Sequence, residues 1–150
     1  MLKVTVIAVG KLKERFWKDA CAEYLKRLSG YANVSVRELP DSDVEREATQ
    51  IESAIAALGP GAHVVLLDIA GKQTSSEGLA EKLDDLTVRG VSHVAFVIGG
   101  SDGVASRVRN RCTERMSFGP ITFPHNLARV VLLEQLYRAC KINRGEPYHK

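Results

Sequence analysis

The chain has 150 residues, 45% of them apolar and 26% charged, with a net charge of +3. That balance argues against a disordered tail, a collagen-like repeat or a disulfide-stapled mini-domain, and it suits one domain over 1–150 with its own core. The apolar stretch at 4–9 is too short for a secretory signal and no apolar run approaches the ~20 residues of a membrane span, so a cytoplasmic chain without membrane contact is expected.

In chain order, residues 3–9 are nearly all apolar or β-branched and predict a first strand, ended by Gly10. A helix is predicted over 14–28, carrying Phe16, Trp17, Tyr24, Leu25 and Leu28 and stopped by Ser29-Gly30. A strand over 34–39 closes at Pro40. Ser42 or Asp43 can cap the next helix, whose apolar positions Val44, Ala48, Ile51, Ile55 and Leu58 recur with helical spacing before Gly59-Pro60. Residues 63–68 form a short apolar strand suited to the middle of a sheet. After a loop over 69–76, Thr74 and Glu77 have capping-box spacing and open a helix through Leu79, Leu83 and Leu86.

A further buried strand is predicted over 93–98, running into Gly99-Gly100-Ser101-Asp102-Gly103. A basic helix over 104–115 follows, then a strand or extended segment over 117–123, and a last helix from about 126 to 142 with a short tail. Strand–helix alternation with helical crossovers predicts an α/β domain with a mostly parallel sheet and helices on both faces. The last helix has Leu127, Val130, Val131, Leu132, Leu133, Leu136, Tyr137, Ala139, Cys140 and Ile142 around most of its circumference. It needs burial on two or more sides, either as a central helix of one chain or against a second subunit in a homodimer, the reading favoured here.

Charge is unevenly placed. Beyond residue 125, Arg129, Arg138, Lys141, Arg144 and Lys150 outweigh Glu134 and Glu146, which accounts for the whole net excess. Just upstream, Arg107, Arg109, Arg111 and Arg115 accompany only Glu114. Such clusters suit an anionic partner or a solvated helix face. Cys21, Cys112 and Cys140 are odd in number and widely spaced, matching no disulfide or metal pattern, and no other metal-ligand motif is present.

Ligands of open α/β sheets bind beyond the carboxyl ends of the strands, which points to the loops after Asp68, Ile98 and Phe123. The Gly-Gly loop is not G-x-G-x-x-G and lacks the Lys-Ser/Thr of a phosphate-cradling loop. Ser101 and Ser117 have no identifiable base, so no nucleophile stands out. His63 and His93 begin buried strands and read as structural, whereas His125 suits capping, packing or catalysis equally. His149, beside Tyr148 and Lys150, is the better candidate for handling a proton.

Several blocks together resemble the RlmH family of SPOUT-class methyltransferases: Gly10-Lys11-Leu12-Lys13-Glu14, Gly71-Lys72 with Ser75-Ser76-Glu77-Gly78-Leu79, Phe96-Val97-Ile98-Gly99-Gly100-Ser101-Asp102-Gly103, Thr122-Phe123-Pro124-His125, Glu134-Gln135-Leu136-Tyr137-Arg138-Ala139, and Arg144-Gly145-Glu146-Pro147-Tyr148-His149-Lys150. The resemblance runs from residue 2 to 150 in matching order. It implies a C-terminal trefoil knot, and methylation of N3 of a pseudouridine in 23S rRNA on the assembled ribosome. S-adenosylmethionine would be the methyl donor, with no metal. Carried over by position, donor contacts would come from Leu67, Gly99 and the run Phe118, Gly119, Pro120, Ile121, Thr122 and Phe123. His149 would assist loss of the acceptor proton, Tyr148 would stack on or hydrogen-bond the base, and Arg138 would hold a phosphate or offset developing charge. Arg138 also stands four residues after Glu134, where a plain helical ion pair is expected. Rival readings are another SPOUT-class rRNA or tRNA methyltransferase, or a non-catalytic ribosome-binding factor of the same fold.

Overall fold

The computed structural model describes residues 1–148. Its elements are β1 (Lys3–Val9), α1 (Arg15–Leu28), β2 (Asn33–Leu39), α2 (Val44–Ala56), β3 (His63–Gln73), α3 (Ser76–Val88), β4 (His93–Ile98), α4 (Ser106–Arg111), β5 (Glu114–Ser117) and α5 (His125–Asn143). The five strands pair in the order β2-β1-β4-β3-β5, every pair parallel. A parallel sheet needs both faces covered. Here α1, α3 and α5 pack on one face through Val4, Val6, Ala8, Val94 and Phe96, while α2 and α4 cover Ile7, Val9, Val64, Leu66 and Val97 on the other. The predicted fold class is the one observed.

Local sequence explains most boundaries. Asp43 caps α2 by accepting from the Arg46 amide at 2.8 Å. At α3 the cap is Ser75, whose Oγ accepts from the Gly78 amide at 2.9 Å; the capping-box spacing had pointed one residue earlier, to Thr74. The basic helix is only the six-residue α4, because the chain returns to the sheet edge at Thr113, whose amide donates to the Val64 carbonyl at 2.8 Å. The fifth strand lies at Glu114–Ser117, before the segment that strand-like composition had marked. Residues 118–124 cannot continue it as a ladder strand, since Pro120 and Pro124 have no N–H to donate. β3 in turn runs past Asp68 to Gln73 and meets Met116 twice, through Leu67 and again through Lys72, across a bulge.

α5 lies between α1 and α3, with Leu132, Leu133, Leu136 and Ala139 buried. Val130, Tyr137, Cys140 and Ile142 are part-buried on the same core. One chain therefore already covers the sheet side and both flanks of this helix, as the central-helix reading requires. Its amino end is fixed by an unexpected device. Arg129, counted from sequence among the charges suited to an anionic partner, is 2% exposed. Its guanidinium donates to Glu38 Oε2 at 2.6 Å and to the Gly10 carbonyl at 2.8 Å, tying α5 to the ends of β2 and β1. His125 closes against the same turn: a Cβ on Gly10 would stand 2.9 Å from its Nε2.

Burial opposes ionisation of Glu38, but the bond and charge of Arg129, the Leu12 amide and Lys11 outweigh it and hold its carboxyl below the usual range. The anchor is thus at full strength above Glu38's ordinary pKa of 4.5 and is lost as pH falls through the lowered value. Arg129→Ala should destabilise the fold by about 2–4 kcal/mol, less than a fully buried pair because Glu38 keeps contact with water. Urea denaturation checks this, with no change in midpoint as the contrary result.

Candidate active site

The sheet order puts the carboxyl ends of β4, β3 and β5 side by side. Leu67, near the end of β3, pairs with Met116 of β5. Leu66 pairs with Val97 of β4, two residues before Gly99. The chain must then travel from β5, at one edge, to Gly10 at the end of β1. That crosses three strand spacings, about 14 Å, and seven residues of extended chain reach about 23 Å. Segment 118–124 is thus long enough to pass the ends of β3 and β4, where Leu67 and Gly99 lie, although neither residue lines the cavity that Phe118 and Phe123 form.

Within that segment the side chains divide. Phe118 and Phe123 face each other edge-on with ring centroids 6.5 Å apart. They line a cavity of about 300 Å³ with Leu79 and Val131 as further apolar wall and Thr74, Ser75, Ser76 and Gln135 as polar wall. Ile121 is 72% exposed, and Pro120 and Thr122 are exposed beside it. The Gly119 amide and carbonyl both bond Ser117 Oγ, at 3.0 and 3.1 Å. Among the described residues, no intrachain hydrogen bond takes the amides of Ile121, Thr122 or Phe123. Apolar walls with available backbone donors fit the adenine and ribose of S-adenosylmethionine. The polar wall residues were missed from sequence as contacts, although Ser75-Ser76 and Glu134-Gln135 stood within the recognised blocks.

The Gly-Gly loop has an internal explanation. A Cβ on Gly99 would lie 2.5 Å from Val104 Cγ1, and one on Gly100 would lie 2.7 Å from Oε1 of the buried Glu47. Glu47 also accepts from the Ser42 amide at 2.8 Å. The chain's own packing thus accounts for both glycines, since a side chain at either would displace Val104 or Glu47.

The tail folds back along α5. Lys141 Nζ and the Tyr31 hydroxyl both donate to Glu146 Oε2, at 3.1 and 3.0 Å. Tyr148 stands edge-on to Tyr137 with centroids 4.9 Å apart, and the Arg138 guanidinium lies 4.9 Å from its ring centre. The Tyr148 hydroxyl donates to Glu134 Oε2 at 2.9 Å, and Arg138 Nη2 donates to the same oxygen at 2.8 Å. Arg138 and Tyr148, two of the three predicted catalytic residues, are therefore brought together on Glu134, and the helical pair expected from spacing is present. His149, the third, lies outside the described residues. His63 and His93 are structural, bonded to Glu114 at 2.5 Å and to Thr5 at 2.8 Å.

The upstream arginines are largely neutralised within the chain. Arg107 pairs with Glu45 and Glu52, and Arg109 and Arg115 flank Asp68. Burial pushes the Cys112 thiol up to about 11, which fits an inert thiol. Among the described residues no group of His, Cys, Asp and Glu side chains clusters as metal ligands, and no helix is long and apolar enough to cross a membrane.

Comparison with known proteins gives the chain a family. The family model described as "Predicted SPOUT methyltransferase" matches residues 2–149. A protein of Bacillus cytotoxicus is 49% identical over 159 aligned residues, covering 99% of this chain and 100% of that protein. Proteins of Bacillus thuringiensis and Bacillus anthracis are 50% identical over the same span. All three relatives bear the name ribosomal RNA large subunit methyltransferase H. The chain belongs to the SPOUT methyltransferases and, within them, to the family of these relatives. The fold of this class is the alpha-beta knot, an exception to the rule that chains do not thread themselves.

Burial, then the hydrogen bond and charge of Glu134, push the Tyr148 phenol up to about 12. Its docking is complete below the ordinary value of 10.0 and is lost as pH rises toward 12. The tyrosinate absorbance that Tyr148→Phe removes should still be undeveloped at pH 11. Ionisation near pH 10 would contradict the part-buried contact with Glu134.

Proposed function

We propose that the protein transfers a methyl group from S-adenosylmethionine to N3 of a pseudouridine in 23S rRNA, acting in the cytoplasm on the assembled ribosome. The observation that carries this reading is end-to-end membership in a family whose members are named for large-subunit ribosomal RNA, in a chain whose tail folds onto the helix that walls the cavity. When bound, S-adenosylmethionine supplies a methyl already activated by its sulfonium. The protein's task is then positioning and proton handling.

In this reading Phe118 and Phe123 wall the adenosine, with Leu67, Gly99 and the intervening backbone of Gly119, Pro120, Ile121 and Thr122 completing the contacts. His149 takes the N3 proton. Tyr148 is unsuited to that role, because its hydroxyl already donates to Glu134 and its ionisation is suppressed. Its contribution in this reading is its aromatic ring, which stacks on the base. Arg138 offsets charge developing on the ring, with Glu134 fixing its direction.

The assembled ribosome is favoured over free RNA because most upstream arginines are spent on intrachain carboxylates. A compact enzyme with few available cations grips naked RNA weakly. A homodimer is part of the same proposal, and α5, part-buried within one chain, supports it less than the sequence alone did. Light scattering decides the oligomeric state.

Incubation with labelled S-adenosylmethionine should label intact ribosomes strongly and deproteinised rRNA little, and digestion should recover N3-methylpseudouridine. Equal labelling of both substrates, or a methyl on another nucleoside, would overturn the assignment. His149→Ala should lower kcat by about 10²–10⁴ with donor binding unchanged. Undiminished transfer would remove His149 from the mechanism.

A further inference from the structure

An unbroken line of hydrogen bonds joins the cavity wall to the tail. Ser76 Oγ donates to Gln135 Oε1 at 2.6 Å, and both residues line the cavity. Gln135 Nε2 donates to Glu134 Oε1 at 2.7 Å. The other oxygen of Glu134 holds the Tyr148 hydroxyl at 2.9 Å and Arg138 Nη2 at 2.8 Å. The carboxylate sets the direction of the line, because the reversed Gln135 amide would place Oε1 against a carboxylate oxygen. From this we infer that Glu134 and Gln135 are positioning residues that couple occupation of the cavity to docking of the tail.

The inference rests on reading the cavity as the donor pocket. Two states are involved, with the tail docked on α5 or released from it. Release leaves Glu134 with fewer donors and loosens the Gln135 side chain, which then presents no fixed amide to the pocket. A donor that orders Ser76 and Gln135 removes part of the entropy cost of docking Tyr148. Linkage makes the effect reciprocal: whatever factor the donor adds to tail docking, the docked tail adds to donor affinity. Tyr148 is not among the cavity-lining residues, and the double substitution described below separates coupling through Gln135 from direct contact with the donor.

The test combines calorimetry with hydrogen exchange, using S-adenosylhomocysteine as the probe and the full chain throughout. In the unmodified protein the probe should slow exchange of the tail amides at 144–146 and 148 by roughly three- to tenfold, the range set by one or two hydrogen bonds. In Gln135→Leu the slowing should fall below about twofold. The isosteric Gln135→Glu, which sets a carboxylate against Glu134, should lose it as well and guards against a folding defect in the first variant. Tyr148→Phe should weaken probe binding by about two- to fivefold. Combining it with Gln135→Leu should add little, whereas two separate structural defects would add.

If the probe does not bind the unmodified protein, the donor-pocket reading falls, and this inference with it. If it binds and Gln135→Leu keeps the full slowing, or if the two substitutions add, the coupling falls and the donor-pocket reading stands.

Discussion

The buried guanidinium of Arg129 is the interaction on which the site's architecture depends. It lies where β1 and β2 end and α5 begins, holding the Gly10 carbonyl and the Glu38 carboxylate at once. Without it, α5 would still have an apolar surface to bury and His125 would still stand against Gly10, but the two bonds that tie its amino-terminal part to the ends of β1 and β2 would be gone. With that part of the helix in place, segment 118–124 has to end beside Gly10. Its Nε is buried with no partner among the described residues, a cost the fold bears alongside the two bonds the group does make. Gly10 stands in that turn because its φ of +101° disfavours any other residue and His125 fills the space a side chain would need.

From that anchor α5 serves two ends of the chemistry. One side, through Val131 and Gln135, walls the cavity; another, through Glu134, Tyr137 and Arg138, receives the returning tail. A helix is stiff over this length, so groups separated by one or two turns keep a fixed mutual distance. In the proposed function, donor and acceptor machinery would thereby be held to one another by a single element, which is what an in-line transfer needs when positioning supplies most of the rate.

The sequence revealed the architecture better than the side-chain roles. α2 was readable because its apolar residues hold helical spacing over four turns, and β1 and β4 because they are unbroken apolar runs. β5 was displaced since residues 117–123 are strand-like in composition, and only Pro120 and the real pairing with β3 show where the ladder ends. Charge says nothing about direction, so Arg129 looked like surface charge while its side chain turned inward. Arg107, Arg109 and Arg115 looked like an anion site, but their carboxylate partners on α2 and β3 are remote in sequence. For the candidate site, the strand-end loops and the pairing of Glu134 with Arg138 followed from position and spacing. The docking of Tyr148 on Glu134 did not, because a contact made by a returning tail leaves no periodic trace. Ser76 and Gln135 were hidden for a related reason: the cavity they line is completed by Phe118 and Phe123, and Ser76 is remote from both in sequence.

The central claim is that the methyl donor sits beneath 118–124 and beside the strand ends of β3 and β4. A crystal structure with S-adenosylhomocysteine tests this most directly. The account predicts the adenine between Phe118 and Phe123, with backbone contacts from Ile121–Phe123 and with Leu67 and Gly99 within van der Waals reach. Density for the ligand elsewhere, such as the groove formed by Lys11, Leu25 and Val36 between α1 and β2, would contradict it.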